Sequence, residues 1–374
     1  MTKAIRIGRL FGIDIEIDYT WFIIFLIVVV GLASGWLQQY LPKGVHPAVR
    51  WLVAIVTTLL FFVSVLLHEL SHSVVALRSG LKISGITLFL FGGVSKLSEE
   101  PKSPEVELKM AIAGPLMSLA LAVIFFGASL VLNSAAGGVL STMFRWLGIV
   151  NGMLAAFNLL PGFPLDGGRV LRAGLWKWST NLSEATRVAS TFGQGAGLLM
   201  ILGGIFLFFT GGGFGGLWLA FIGWFLMQAA QSSYQQMIVR QALSGLPVRS
   251  IMTEEVDAIH PDMVLTDVVN EYIMARNHPA FPVQEGEHVI GLLCLNDVRS
   301  IPREDWNRVT AREAAPPLSE HNTISPSADA WDALVRMSSE NCGRLVVLEE
   351  GRLRGIISRT DIMRLMRHRL ELGI

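Results

Sequence analysis

The sequence is poor in charge: Asp, Glu, Lys and Arg make up only 16% of its 374 residues, against roughly a quarter in an ordinary soluble chain. That deficit argues against a wholly water-solvated protein. Its 30 basic and 30 acidic residues cancel, so no surplus of positive charge is available to neutralise a phosphate backbone, and nucleic acid is excluded as an expected partner. Cysteine is almost absent. Cys294 and Cys342 are the only two, and they lack the close spacing of a thiolate metal site. They read as buried free thiols in a reducing compartment rather than as a disulfide framework.

Apolar sequence takes the place of charge, 52% of the chain being hydrophobic. The polarity is unevenly divided: residues 1–245 hold 16 of the 30 Lys and Arg and 10 of the 30 Asp and Glu, and the last 129 residues hold the rest. The expected organisation is a transmembrane domain over 1–245 and a soluble domain over 246–374. Apolar runs near 20–37, 51–77, 108–132, 145–162, 188–210 and 214–232 are each close to the roughly 20 residues that cross a bilayer. No cleavable signal peptide is expected, because the first apolar run starts only near Tyr19 and no small-residue cleavage site followed by a polar mature chain is present. With the N-terminus inside, 14 Lys and Arg fall in inner segments and 3 in outer ones, a strong positive-inside bias. Six spans then place the C-terminal domain in the cytoplasm, beneath a cell membrane.

Two segments near the inner face have the pattern of strands. "IDIEID" alternates Ile13, Ile15 and Ile17 with acids, and "LKISGITLFLFGGVSKL" is rich in β-branched and aromatic residues. A small membrane-associated sheet is expected there.

The stretch "FFVSVLLHELSHSVVAL", residues 61–77, sets His68, Glu69 and His72 in a run apolar enough for the bilayer interior, where ionisable groups are costly and mark function. Residues i and i+4 share a helix face, so both imidazoles can reach one ion, and Glu69 can reach a water beside it. The pattern suits zinc, which takes three protein ligands in hydrolytic sites. A third ligand has to come from elsewhere. Asp166, in "NLLPGFPLDGGRVL", is the other acid of the membrane half in an apolar context, and Pro161, Pro164, Gly167 and Gly168 suit non-helical backbone lining a cavity. A helix cap is its alternative role.

Together HELSH and "NLLPGFPLDGG" resemble the two signatures of the site-2 protease family of intramembrane zinc metalloproteases. "FGGV" at 91–94 and "AGP" at 113–115 resemble further landmarks of that family, and the likeness spans residues 5–235. The resemblance implies one Zn2+ per chain held by His68, His72 and Asp166, with Glu69 as catalytic base and Asn158 as the asparagine that opens the second motif. Asn158 could donate to the substrate carbonyl or developing oxyanion, or could tie helices together. The implied substrate is a transmembrane segment of another membrane protein. Its backbone must unwind before attack, and the sheet around "GITLFLFGGV" could receive the unwound segment as an added strand.

The soluble tail repeats at an offset of 64: "FPVQEGEHVIGLLCLNDV" at 281–298 matches "LVVLEEGRLRGIISRTDI" at 345–362, aligning Val283 with Val347, Gly291 with Gly355 and Asp297 with Asp361. Each half reads as helix, strand, turn, strand, helix. The halves resemble CBS domains, an α/β fold that associates in tandem and often binds adenine nucleotides. That resemblance implies an ATP or AMP site centred on Ser358 and Asp361, with Thr360 and Arg359 as phosphate contacts. Asp297 is the matching acid of the first half, where Cys294 replaces the hydroxyl. A homodimer through the pair is the implied assembly, a purely structural pair its alternative, and "QALSGLPVRS" joins the pair to the last span with little slack. Two other readings compete for the whole chain. A CBS-regulated transporter or channel would not need both HELSH and a presented Asp. A prenyl-protein endopeptidase would want a downstream glutamate, and Glu184 lies among polar residues.

Overall fold

The computed structural model describes residues 4–372 except 91, 98–99, 134–137, 277 and 340–342. It divides into two compact units, Met1–Gln235 and Gln236–Ile374.

The first unit opens with a hairpin, β1 (Ile5–Leu10) and β2 (Ile13–Ile17), turned by Phe11 and Gly12 at positive φ. Asp18 caps α1 (Tyr19–Gly31), which continues through a wider turn into α2 (Leu37–Tyr40). The long α3 (Pro47–Arg78) carries HELSH. Strands β3 (Ile83–Phe89) and β4 (Gly92–Leu97) follow, and the sheet order is β1-β2-β3-β4, with β2 and β3 parallel and the outer pairs antiparallel. The sheet expected from the sequence is present, with β1 as a strand the sequence reading omitted. Ile13, Ile83 and Ile86 turn its inner face onto Leu70, Ala76 and Met110. The remaining helices are α4 (Pro104–Asn133), α5 (Val139–Asn158), the short α6 (Asp166–Ser179), α7 (Leu182–Leu207) and α8 (Gly213–Leu243).

Among the described residues, five helical segments are long and apolar enough to cross a membrane: Tyr19–Tyr40, Pro47–Arg78, Pro104–Leu132, Val139–Asn158 and Leu182–Leu243. The last, of 62 residues, is about three times the length a span needs. It is broken at Gly211, whose φ of 102° no helix contains. Its two arms overlay the apolar runs at 188–210 and 214–232. The outward faces are themselves apolar: Leu26, Leu52, Val123 and Leu199 are each 60% exposed or more. A surface of this kind is stable against hydrocarbon, not water. Glycine lets α7 and α8 pack closely, since a Cβ on Gly197 would strike the carbonyl of Gly223 and one on Gly204 that of Gly216.

The second unit holds short helices α9 (Leu265–Asp267), α10 (Leu295–Ser300) and α11 (Ala311–Ala314), with α12 (Ala330–Ser339) and α13 (Arg359–Leu372). Its strands are β5 (Ala280–Glu285), β6 (His288–Cys294), β7 (Thr323–Ile324), β8 (Arg344–Glu349) and β9 (Arg352–Ser358), in the order β5-β6-β9-β8-β7. The hairpin β8–β9 is the hairpin β5–β6 displaced by the expected 64 residues at every strand end. Gly291 and Gly355 correspond. A Cβ on the first would sit 2.8 Å from the carbonyl of Pro316, and one on the second would strike that of Thr253, so each glycine admits a crossing segment. Cys294 is buried as expected but is disulfide-bonded, not a free thiol. Cys342 lies outside the described residues.

Candidate metal centre

HELSH lies near the end of α3, which stops at Ser79 with Gly80 at a φ of 82° before the chain turns into β3. One helical turn separates His68 from His72, and their Nε2 atoms are 3.2 Å apart. Asp166 reaches them from a different part of the chain. The segment after α5 leaves the helix at Leu159, and α6 begins at Asp166 with Leu165 as its N-cap. Asp166 is therefore the first residue of the helix and not its cap. Gly167 and Gly168 bring α6 hard against this loop, for a Cβ on either would overlap the carbonyls of Leu159, Leu160 and Gly162. The loop in turn is pinned to α7, where the N–H of Phe163 donates to the carbonyl of Ala189 at 3.1 Å.

Asp166 Oδ2 comes to rest 3.2 Å from each histidine Nε2, with side-chain exposures of 4% for His68, 12% for His72 and 15% for Asp166. All three ligand atoms lie within 4.8 Å of one another. Their hydrogen bonding determines what this cluster can be. His72 Nδ1–H donates to the carbonyl of Met110 at 2.6 Å, so a neutral ring must present a lone pair at Nε2. His68 Nδ1 lies 2.9 Å from Ser118 Oγ, which can accept its proton in the same way. Asp166 Oδ2 is buried with no hydrogen-bond donor. With His68 in the tautomer that donates to Ser118, three lone pairs face one point, an arrangement that repels itself unless a cation sits among them. The donor set, two imidazoles and one carboxylate, fits zinc. Gly114 on α4 leaves space beside the two rings, for a Cβ there would lie 2.7 Å from His68 Nε2 and closer still to His72 Nε2.

Glu69, half-buried, follows His68 directly on α3. Ser95 Oγ on β4 donates to its Oε2 at 3.4 Å, and Ser73 Oγ lies 3.0 Å from Ser95 Oγ. Gly93 leaves room for it, since a Cβ there would overlap its Cγ. Asn158, the last residue of α5, is half-buried and makes no hydrogen bond to the cluster among the described residues. The sequence reading missed Ser118, the carbonyl of Met110 and Ser95. The first two share a face of α4 with Gly114, at helical spacing, and "AGP" was the only signal pointing to it.

In the second unit, Ser358 and Asp361 form a tight local pair: Ser358 N–H and Oγ–H donate to Asp361 Oδ2 at 3.0 and 2.6 Å. In the first repeat Cys294 N–H donates to Asp297 Oδ2 at 2.9 Å. Both acids therefore close the first turn of a helix, and burial pushes the Asp297 carboxyl above its ordinary range, only partly opposed by that N–H. Arg359 donates to the carbonyl of Met337 at 2.8 Å, and Thr360 is exposed. Arg344, half-buried, faces the charge of Asp361.

The family pattern described as Peptidase family M50 matches residues 56–136 and 132–202, and that described as CBS domain matches residues 248–304 and 316–368. Rip3 of Mycobacterium tuberculosis is 33% identical over 372 residues, covering 98% of this chain and 93% of its own. Zinc metalloprotease MJ0392 of Methanocaldococcus jannaschii is 31% identical over 366 residues, covering 98% of this chain and 97% of its own. A solved structure, the site-2 protease from Methanocaldococcus jannaschii, is 33% identical, covers 62% of this chain and 95% of its own, and superposes with a TM-score of 0.43. Likeness over nearly the whole length, together with the geometry above, places this chain in the site-2 protease family, Peptidase family M50, as a zinc metalloprotease with a C-terminal pair of CBS domains.

Proposed function

We propose that this protein is an intramembrane protease that hydrolyses peptide bonds within transmembrane segments of other membrane proteins, and that adenine nucleotide at its CBS pair tunes the reaction. The observation that carries this reading is the convergence of three ligand atoms, two imidazole nitrogens and a carboxylate oxygen, beside the space left by Gly114. His68, His72 and Asp166 would hold the metal. Zinc bound there would supply Lewis-acid polarisation of the scissile carbonyl and acidification of a water near neutral pH. Glu69 takes the proton of the attacking water and returns it to the leaving amine, with Ser95 fixing its orientation. Asn158 is assigned to the substrate carbonyl, which it can meet only once substrate is bound. The outer edge of β4 has no strand partner among the described residues and lies beside Glu69, so an unwound substrate segment can pair there as a further strand.

The loop charges support an N-terminus, a metal centre and a CBS pair on the cytoplasmic side of the cell membrane. In the CBS pair, Asp361 Oδ2 is committed to its helix turn, which leaves Oδ1 for a ribose or phosphate group. Ser358, Asp361, Thr360 and Arg359 form the main proposed site, Asp297 a second, and a homodimer through the pair is the proposed assembly. The test is paired zinc analysis and cleavage of a single-pass substrate in vesicles. Glu69→Gln should keep about one zinc per chain and lose cleavage, while His68→Ala should lose both. Full zinc retention in the double variant His68→Ala, His72→Ala would defeat the site.

A further inference from the structure

Below the metal centre, α4 and α6 are joined by an ion pair closed to solvent. The side chain of Glu107 is 0% exposed and that of Arg172 9%. Arg172 Nε donates to Glu107 Oε1 at 2.7 Å, and a second guanidinium nitrogen reaches the same oxygen. The guanidinium also lies 5.0 Å from the ring centroid of Phe163, in the loop that leads to Asp166. Such a pair is weak evidence for stability, because apolar residues of similar volume in its place are often neutral or stabilising. Its position suggests another purpose.

Glu107, Met110, Gly114 and Ser118 fall on one face of α4, at steps of three, four and four residues. Met110 and Ser118 orient the two histidines, and Gly114 leaves the space between them. The two histidine ligands are thus both referenced to α4. Asp166 is on α6 and touches α4 through none of these groups. Arg172 lies six residues beyond Asp166, about 9 Å along its helix, and Glu107 lies seven residues from Gly114, about 10.5 Å along its own. The two spacings nearly match, so the pair joins α6 to α4 about as far along α6 from Asp166 as along α4 from Gly114.

We propose that Glu107 and Arg172 are positioning residues that set the third metal ligand, holding α6 in register with the helix that already orients His68 and His72. This rests on the reading of His68, His72 and Asp166 as the metal centre. The α6 helix has only 14 residues, and a slide of a few tenths of an ångström would exceed the roughly 0.2 Å within which ligand distances must hold.

The experiment compares wild type, Glu107→Gln and the double variant Glu107→Met, Arg172→Met in detergent. Zinc affinity is measured by competition with a chromophoric chelator, the ligand field by the visible absorption of the Co2+-loaded protein, and folding by thermal midpoint. The double variant guards against the case in which Glu107→Gln strands a buried guanidinium and unfolds the protein. If the pair positions Asp166, the folded double variant binds zinc about ten- to a hundredfold more weakly, the range for lost outer contacts of a metal site. Its Co2+ bands change in intensity, and its kcat falls with KM little altered. A double variant with wild-type zinc affinity and an unchanged Co2+ spectrum reduces the pair to packing and overturns the proposal. Zinc binding that survives in the double variant His68→Ala, His72→Ala would overturn the metal-centre reading itself, a separate result.

Discussion

Replacing Gly114 by alanine adds one methyl group, and the structure assigns it a large effect. The new Cβ would stand 2.7 Å from His68 Nε2, while ordinary van der Waals contact begins at 3.4 Å. His68 must then withdraw by 0.7 Å, and His72, which is closer, by more. Neither ring is free to do so. His72 is held to Met110 and His68 to Ser118, and breaking such buried hydrogen bonds costs on the order of 1 kcal/mol each, more where a group is left unpaired. If the rings withdraw, the ligand atoms move several times the roughly 0.2 Å a metal site tolerates. If α4 withdraws instead, the register of the helix pair is lost. Either way zinc affinity should fall by at least a hundredfold, and cleavage with it. Alanine is a better helix former than glycine, so the helix itself should be no less stable. Zinc content after dialysis against a weak chelator, with circular dichroism to verify helicity, measures this. A Gly114→Ala protein that keeps one zinc and wild-type turnover would show that the space at Gly114 is not where the ion sits.

Two further outcomes test the outer parts of the reading. ATP titrated against purified protein should bind at one dominant site and alter cleavage of a single substrate, and Asp361→Ala should weaken that binding at least tenfold; binding that survives the substitution misplaces the site. In a variant free of native cysteine, Cys at position 43 should react with an impermeant thiol reagent added outside intact cells and Cys at position 82 should not, both positions being exposed; the reverse pattern inverts the topology.

The sequence was most legible where chemistry had to be written in side chains. His68, Glu69 and His72 stand out because imidazole and carboxylate are costly in an apolar run, and Asp166 because no other acid of the first unit besides Glu69 has such surroundings. The repeat of the second unit was legible to the residue, since a hairpin copied at a constant offset leaves the same glycines at the same crossings. β1 was missed because its residues are exposed along the whole strand, so no buried face imposes an alternation. The disulfide at Cys294 was missed because the spacing of cysteines in sequence reports local motifs and says nothing of contacts made by folding. The roles of Asp297 and Asp361 in closing helix turns were hidden by the nucleotide motif they also match, although Ser-x-x-Asp is itself a helix-start pattern.

What the sequence concealed most completely is the part α4 plays. It contributes no ligand to the cluster and no proton acceptor to the proposed reaction. Its share is a backbone carbonyl at Met110, which every residue possesses, a missing side chain at Gly114 and a serine at Ser118, none of them unusual in a membrane helix. Only Glu107 is conspicuous, and in sequence it passes for an acid in the first turn of a helix, where acids are common. The four become a pattern only when a second helix crosses them and every contact falls on one face. If His68, His72 and Asp166 hold one ion, its ligands come from two separated segments, and the element proposed to hold both in register is the helix with no ligand of its own.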